Sequence, residues 1–168
     1  MGNFMEKELR KRQNMLVESG TGVILLAVWS LIKVNLYLAL AGISMDDLND
    51  VAAELGINET FFLIFMIVAV SGVLLYNLMI RLYIGISASA EGKGTPKGYG
   101  YLVLAVVVLI TDLQTSYHAF WLDLVRSGMG MTFDQFVSLC MEAVSAYVML
   151  ELLISGIRVK QLRKKMKV

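Results

Sequence analysis

The chain alternates between long apolar runs and short polar segments. Four runs are long and apolar enough to form helices of about 20 residues, the length that crosses roughly 30 Å of hydrocarbon. They cover residues 22–43, 61–84, 101–121 and 136–157. None shows the strict two-residue alternation of a barrel strand. The pattern therefore predicts an all-α integral membrane protein, folded as a bundle of four transmembrane helices.

The charges between the runs predict how these helices are oriented. Lys and Arg collect on the cytoplasmic side of membrane proteins, and in this chain they cluster in the segments 1–20, 85–100 and 158–168. The loop 44–60 has five Asp and Glu residues and neither Lys nor Arg. We expect a single membrane domain over residues 1–168, multi-pass in the cell (cytoplasmic) membrane. Both termini are then cytoplasmic, and the loops 44–60 and 122–135 are external.

Two short patterns refine this topology. Within the first external loop, SMDDLNDVAAELG predicts a short amphipathic helix that Ser44 caps, between the first and second spans. The sequence AVSG at 69–72 is echoed by AVSA at 143–146, and the same register sets Asn77 against Glu151. This match predicts a 2+2 parallel internal repeat, related by an axis along the membrane normal.

Composition supports the membrane class and excludes several kinds of chemistry. The chain is 57% hydrophobic and 17% charged, with one Cys and one His. An internal disulfide, a haem with paired axial ligands and a closed zinc site are therefore excluded. No nucleophile, base and acid stand in a catalytic pattern. We expect no metal, no cofactor and no enzymatic activity.

The third span becomes polar in its second half, at LITDLQTSYHAFW. A lipid-facing helix cannot present Asp, Gln and His to hydrocarbon without a cost of several kcal/mol. At 1.5 Å per residue, Lys33 of the first span and Glu142 of the fourth lie at a depth similar to that of Asp112. We therefore predict a buried cluster of Lys33, Asp112 and Glu142, with Gln114 and His118 on its external side.

A second polar group is predicted nearer the cytoplasm, formed by Asn77, Arg81 and Glu151. Arg81 is expected to extend to the cytoplasmic headgroups. Both groups have a packing explanation as well as a functional one, since polar side chains also specify which helices associate.

Two hypotheses of function follow. One cation against two acids in the first cluster requires a proton, a metal ion or a small cation to balance it, which indicates a small transporter or channel unit. The alternative is a non-catalytic membrane subunit or scaffold that binds a partner protein, with the buried charges serving helix packing. The expected partners are lipid, a second copy or another membrane protein, and anionic lipids at the basic tail. Nothing in the sequence indicates nucleic-acid binding.

Overall fold

The described part of the chain is entirely helical. A computed structural model describes residues 2–40, 54, 56–118 and 133–166. In these ranges it contains no β-strand and forms four helices: α1 (Gly2–Leu40), α2 (Glu59–Gly92), α3 (Gly100–His118) and α4 (Phe133–Met166). All four are long and apolar enough to span a membrane, which confirms the predicted helical class. Most of the predicted external helix at 44–56, and most of the loop 122–135, lie outside the described residues.

Three of the helices are longer than a bilayer requires. At 1.5 Å per residue, α1 is about 58 Å long, α2 and α4 are about 51 Å, and α3 is about 28 Å. Helix α1 begins at Gly2, so the basic segment before the first span is helical and continuous with it. Helix α4 likewise continues through the basic tail to Met166. No proline interrupts these segments, since the one proline of the chain is Pro96.

Local sequence explains where α2 begins and ends. The Asn58 side-chain oxygen accepts hydrogen bonds from the backbone N–H groups of Thr60 (3.0 Å) and Phe61 (3.3 Å), an N-cap. At the other end Gly94 has a φ of 102°, a conformation that glycine adopts without steric cost. Its N–H donates to the carbonyl of Glu91, and the next N–H donates to the carbonyl of Ala90. This is a Schellman ending, which turns the chain toward α3.

The described chain divides into two compact units, Met1–Leu26 with Arg81–Val168, and Ala27–Ile80. The core of the first unit is formed by apolar residues of all four helices that are less than 9% exposed: Leu16, Val23, Ile84, Ala88, Tyr101, Leu102, Ala105, Leu109, Met149, Leu152, Leu153, Val159 and Leu162. Helices α3 and α4 run antiparallel, because Tyr101 lies beside Gly156 and Asp112 lies beside Ser145.

Glycines allow the helices of this unit to approach closely. A Cβ on Gly20 of α1 would lie 2.8 Å from the carbonyl oxygen of Gly85 on α2, and a Cβ on Gly85 would lie 2.6 Å from that of Gly20. A Cβ on Gly156 would lie 2.8 Å from a Leu102 methyl group. The backbones of α1 and α2 are therefore in direct contact, and the backbone of α4 lies directly against side chains of α3. Small residues permit such packing between apolar helices.

The second unit contains the rest of α1 and the first part of α2. In the most apolar window of α2, none of the residues is buried, and large side chains such as Phe65, Ile67 and Val73 are 58–68% exposed. A small cavity of about 70 Å³ lies in this unit, lined by Ala27, Ser30, Leu31, Val73, Leu74, Asn77 and Leu78. A helix that is apolar on every side and uncovered by protein suits a hydrocarbon environment.

Candidate functional site

The first unit holds a buried cluster of Arg81 (α2), Asp112 (α3) and Ser145 (α4), which we call the mid-helix triad. Arg81 Nη2 donates to both carboxylate oxygens of Asp112, at 2.6 Å to Oδ1 and 2.8 Å to Oδ2. Arg81 Nη1 donates to Ser145 Oγ at 3.2 Å, and Ser145 Oγ donates to Asp112 Oδ2 at 3.3 Å. The side chains of Arg81 and Asp112 are 11% and 17% exposed. The three residues form a ring of hydrogen bonds that joins three helices and pairs one cation with one acid.

Arg81 was expected to extend to the cytoplasmic headgroups, but it joins the mid-helix triad instead. Helix geometry explains this difference. The Cα–Cβ bonds of an α-helix tilt toward its N-terminus. The N-terminus of α2 lies at the end opposite the basic loop 93–99, so Arg81 is tilted away from that loop and toward Asp112. The guanidinium, which is buried, therefore compensates the Asp112 carboxylate.

The other members of the predicted Lys33, Asp112 and Glu142 cluster are placed as follows. Lys33 belongs to α1, and its side chain lies outside the described residues. Glu142 is half-buried, on the same face of α4 as Ser145 and the fully buried Met149. It makes no ion pair with any side chain that the structure describes. Of the three, only Asp112 takes part in a described ion pair, and its cation is Arg81.

Gln114 and His118 both lie on the exposed side of α3. The His118 ring stands edge-to-face against Tyr117, with 6.1 Å between the ring centroids. Neither side chain contributes to the mid-helix triad, although both lie on the same helix as Asp112.

The predicted second group is divided between the two units. Arg81 belongs to the triad, Glu151 is half-buried on α4, and Asn77 is exposed on α2 in the second unit, where it lines the small cavity. The two serines of the predicted repeat also differ in environment. Ser71 is exposed, whereas Ser145 is buried and hydrogen-bonded.

A second polar cluster, absent from the sequence analysis, lies at the end of the unit where α2 meets the loop 93–99. We call it the basic-end cluster; its members are Glu91, Tyr101, Lys160 and Arg163. Glu91 is 1% exposed. Lys160 Nζ lies 3.0 Å from its Oε2, and Arg163 Nη2 donates to its backbone carbonyl at 2.8 Å. The buried Tyr101 ring lies within cation–π range of the same Lys160 ammonium group.

Lys160 also holds the loop between α2 and α3. Its ammonium group donates to the carbonyl oxygens of Lys97 (2.5 Å) and Gly98 (3.3 Å). It lies 4.7 Å from the centroid of the Tyr99 ring and 5.6 Å from that of Tyr101, within cation–π range. Two cations of the tail thus bind the protein itself, which leaves the outward-facing Arg158, Lys164 and Lys165 for the predicted contact with anionic lipids.

One sequence signal pointed to this cluster. Glu91 is the single acid in an otherwise basic segment that includes Lys93 and Lys97, and a lone acid among bases is a natural ion-pair partner. Its cations come from residues about 70 positions later in the chain, so no local pattern identifies them.

An apolar layer separates the two clusters. On each helix that contributes to both, most of the buried residues between the clusters are apolar: Ile84 and Ala88 on α2, Leu102, Ala105 and Leu109 on α3, and Met149, Leu152 and Leu153 on α4. The buried hydroxyls of Ser87 and Ser155 lie among them. Well-packed apolar side chains of this kind admit water poorly.

Comparison with protein-family models, curated proteins and solved structures finds no significant match to this chain. Within the described ranges, no three His, Cys, Asp or Glu side chains come together as a metal-binding group. The chemistry of the site therefore depends on the two clusters and the layer between them.

Proposed function

We propose that this chain is a multi-pass membrane protein that acts as a non-catalytic subunit or scaffold, the second of the two hypotheses drawn from the sequence. Its two termini lie on the cytoplasmic side, where the positive residues of α1, the loop 93–99 and the end of α4 collect. Its buried charges hold its own helices together, and its work is done through a membrane partner.

The observation that carries this proposal is the neutrality of the mid-helix triad. The transport hypothesis required one cation, Lys33, to balance two acids. Arg81 supplies a second cation and binds Asp112 directly, at 2.6 Å. The Asp112 carboxylate is then balanced without a proton or a metal ion. A neutral, hydrogen-bonded group shared by three helices is what specific packing in hydrocarbon requires.

The apolar layer supports the same proposal. A proton or ion pathway needs polar groups or water along its length. Between the mid-helix triad and the basic-end cluster, the buried side chains are mostly apolar, such as Ile84, Leu109 and Leu152, and the hydroxyls of Ser87 and Ser155 are separate polar groups among them. A path through this unit would have to cross them.

Proton or cation transport is the second candidate, and one observation favours it. Glu142 is half-buried and makes no ion pair with the described side chains. Carboxyl groups inside membrane spans often mark proton or ion pathways.

Flux measurements decide between the two. Purified protein in liposomes is compared with protein-free liposomes for proton, sodium and potassium flux, together with Glu142→Gln. Cys140→Ala is the control, since Cys140 is exposed on the same helix. We expect no flux above that of the protein-free liposomes in any sample. Flux that survives in the control and is lost in Glu142→Gln, at equal folded amounts, would replace the subunit proposal with transport.

A further inference from the structure

The side of α3 that faces away from the core carries a regular row of exposed residues, which we call the α3 outer seam. Its members are spaced alternately four and three residues apart: Val103, Val107, Ile110, Gln114 and Tyr117. The four apolar members are between 54% and 61% exposed. The opposite side of the helix, at Leu102, Ala105 and Leu109, is buried. The seam is therefore largely exposed in the part of the chain that the structure describes.

Gln114 is the polar member of this seam, and it differs from its polar neighbours. The hydroxyls of Thr111, Thr115 and Ser116 donate to carbonyl oxygens one turn earlier in α3, at 2.8, 3.0 and 2.9 Å. They need no further partner. In the described part of the chain, the Gln114 amide makes no hydrogen bond, and its side chain is exposed. A primary amide left unpaired in hydrocarbon is costly.

Gln114 lies about one turn inside the described end of α3. Its Cα lies about 21 Å along the helix from Gly100 and about 6 Å from His118, at 1.5 Å per residue. Because helical side chains tilt toward the N-terminus, the amide points back toward Gly100, into the proposed membrane span. Lipid tails offer it no hydrogen-bond partner.

We infer that the α3 outer seam binds a second copy of this chain, with Gln114 hydrogen-bonded to the partner's Gln114. A primary amide both donates and accepts, so it is complementary to itself. A two-fold axis along the membrane normal sets each seam residue opposite its own copy. The alternating spacing of four and three is that of helices packed in a left-handed pair. This inference deepens the proposed function by naming one partner of the subunit.

Cysteine cross-linking in liposomes tests the surface. In a Cys140→Ala background with Gln114 intact, single cysteines replace Val107 or Ile110 on the seam. Val106 and Leu113 are matched controls, because they are exposed on the same helix but lie off the seam. We expect oxidation to give disulfide dimers from the seam positions and little from the controls. Equal cross-linking at all four positions, or none at any, would overturn the inference.

Dimerisation measured by fluorescence energy transfer, with dye-labelled full-length protein diluted in lipid, tests the role of the amide. Gln114→Leu should raise the dissociation constant about tenfold, whereas Gln114→Asn should restore most of the affinity. Thr115→Val is the control and should change little, because its hydroxyl already bonds its own helix. Equal effects of Gln114→Leu and Thr115→Val would refute the amide contact. If the wild type is monomeric and carries no ion flux, this inference is refuted and the proposed function stands. If the wild type is dimeric and carries ion flux, the proposed function is refuted and the dimer stands.

Discussion

Removing both charges of the mid-helix triad should harm the fold less than removing either one. The perturbation is a set of three variants: Arg81→Met, Asp112→Leu and the double variant that carries both. Asp112→Leu leaves the buried guanidinium without its contacts at 2.6 and 2.8 Å. Arg81→Met leaves a carboxylate whose side chain is 17% exposed. In the double variant no charge is left to compensate.

The expected loss of unfolding free energy follows from two independent ranges. Removing one partner of a buried ion pair costs about 3–5 kcal/mol, and a lone Arg or Asp at the centre of a membrane helix costs about 2.5–3.5 kcal/mol on insertion scales. We therefore expect each single variant to lose about 3 kcal/mol of unfolding free energy, where these ranges meet. Replacing a whole buried pair by apolar side chains is often neutral or stabilising. The double variant should lie within about 1 kcal/mol of wild type.

Reversible unfolding of the full-length protein by SDS in mixed micelles, followed by circular dichroism, measures these free energies. Ser145→Ala is the control. It removes only the two long bonds of 3.2 and 3.3 Å and should cost about 1 kcal/mol. If the double variant is as unstable as the less stable single variant, the reasoning is refuted. The two charges would then stabilise the fold through contacts other than their own ion pair.

Two further predictions concern the basic-end cluster and the helix contacts. Glu91→Gln removes the charge that lies 3.0 Å from Lys160, so the free energy of unfolding should fall by about 3 kcal/mol. The loop 93–99 should also exchange its amide hydrogens faster, and unchanged exchange there would contradict the role of the ion pair. Gly156→Ala places a Cβ 2.8 Å from a leucine methyl group and should lower the free energy of unfolding by about 1–3 kcal/mol. At Gly72 a Cβ enters open space, so Gly72→Ala should raise the free energy of unfolding by about 0.5–1 kcal/mol. The opposite order of the two unfolding free energies would show that the helices pack differently.

Helix number and class were predictable because they depend on local composition. Four runs such as 61–84 are too long and too apolar to be anything but helices that can cross a membrane. Helix ends were less predictable. The segment 1–20 and the tail 158–168 were assigned by charge, which indicates a side of the membrane but does not show that α1 and α4 continue as helices through those residues.

The partner of Asp112 could not be found from depth alone. Lys33 and Glu142 lie at a suitable level along their helices, but level does not specify the direction of a side chain. The tilt of side chains toward the helix N-terminus is the feature that directs Arg81 to Asp112. The basic-end cluster depended on contacts between distant parts of the chain, such as Arg163 with the carbonyl of Glu91, and these follow from how α4 packs on α2.

The contact between Arg81 and Asp112 also constrains how the protein is made. The two residues belong to consecutive helices that are joined by the short loop 93–99, so Arg81 emerges from the ribosome shortly before the carboxylate that binds it. The α2–α3 hairpin is then the smallest piece of the nascent chain that contains both members of this ion pair. Nascent chains truncated between Arg81 and Asp112 should stay cross-linked to the insertion machinery, and chains that extend beyond Asp112 should be released into lipid.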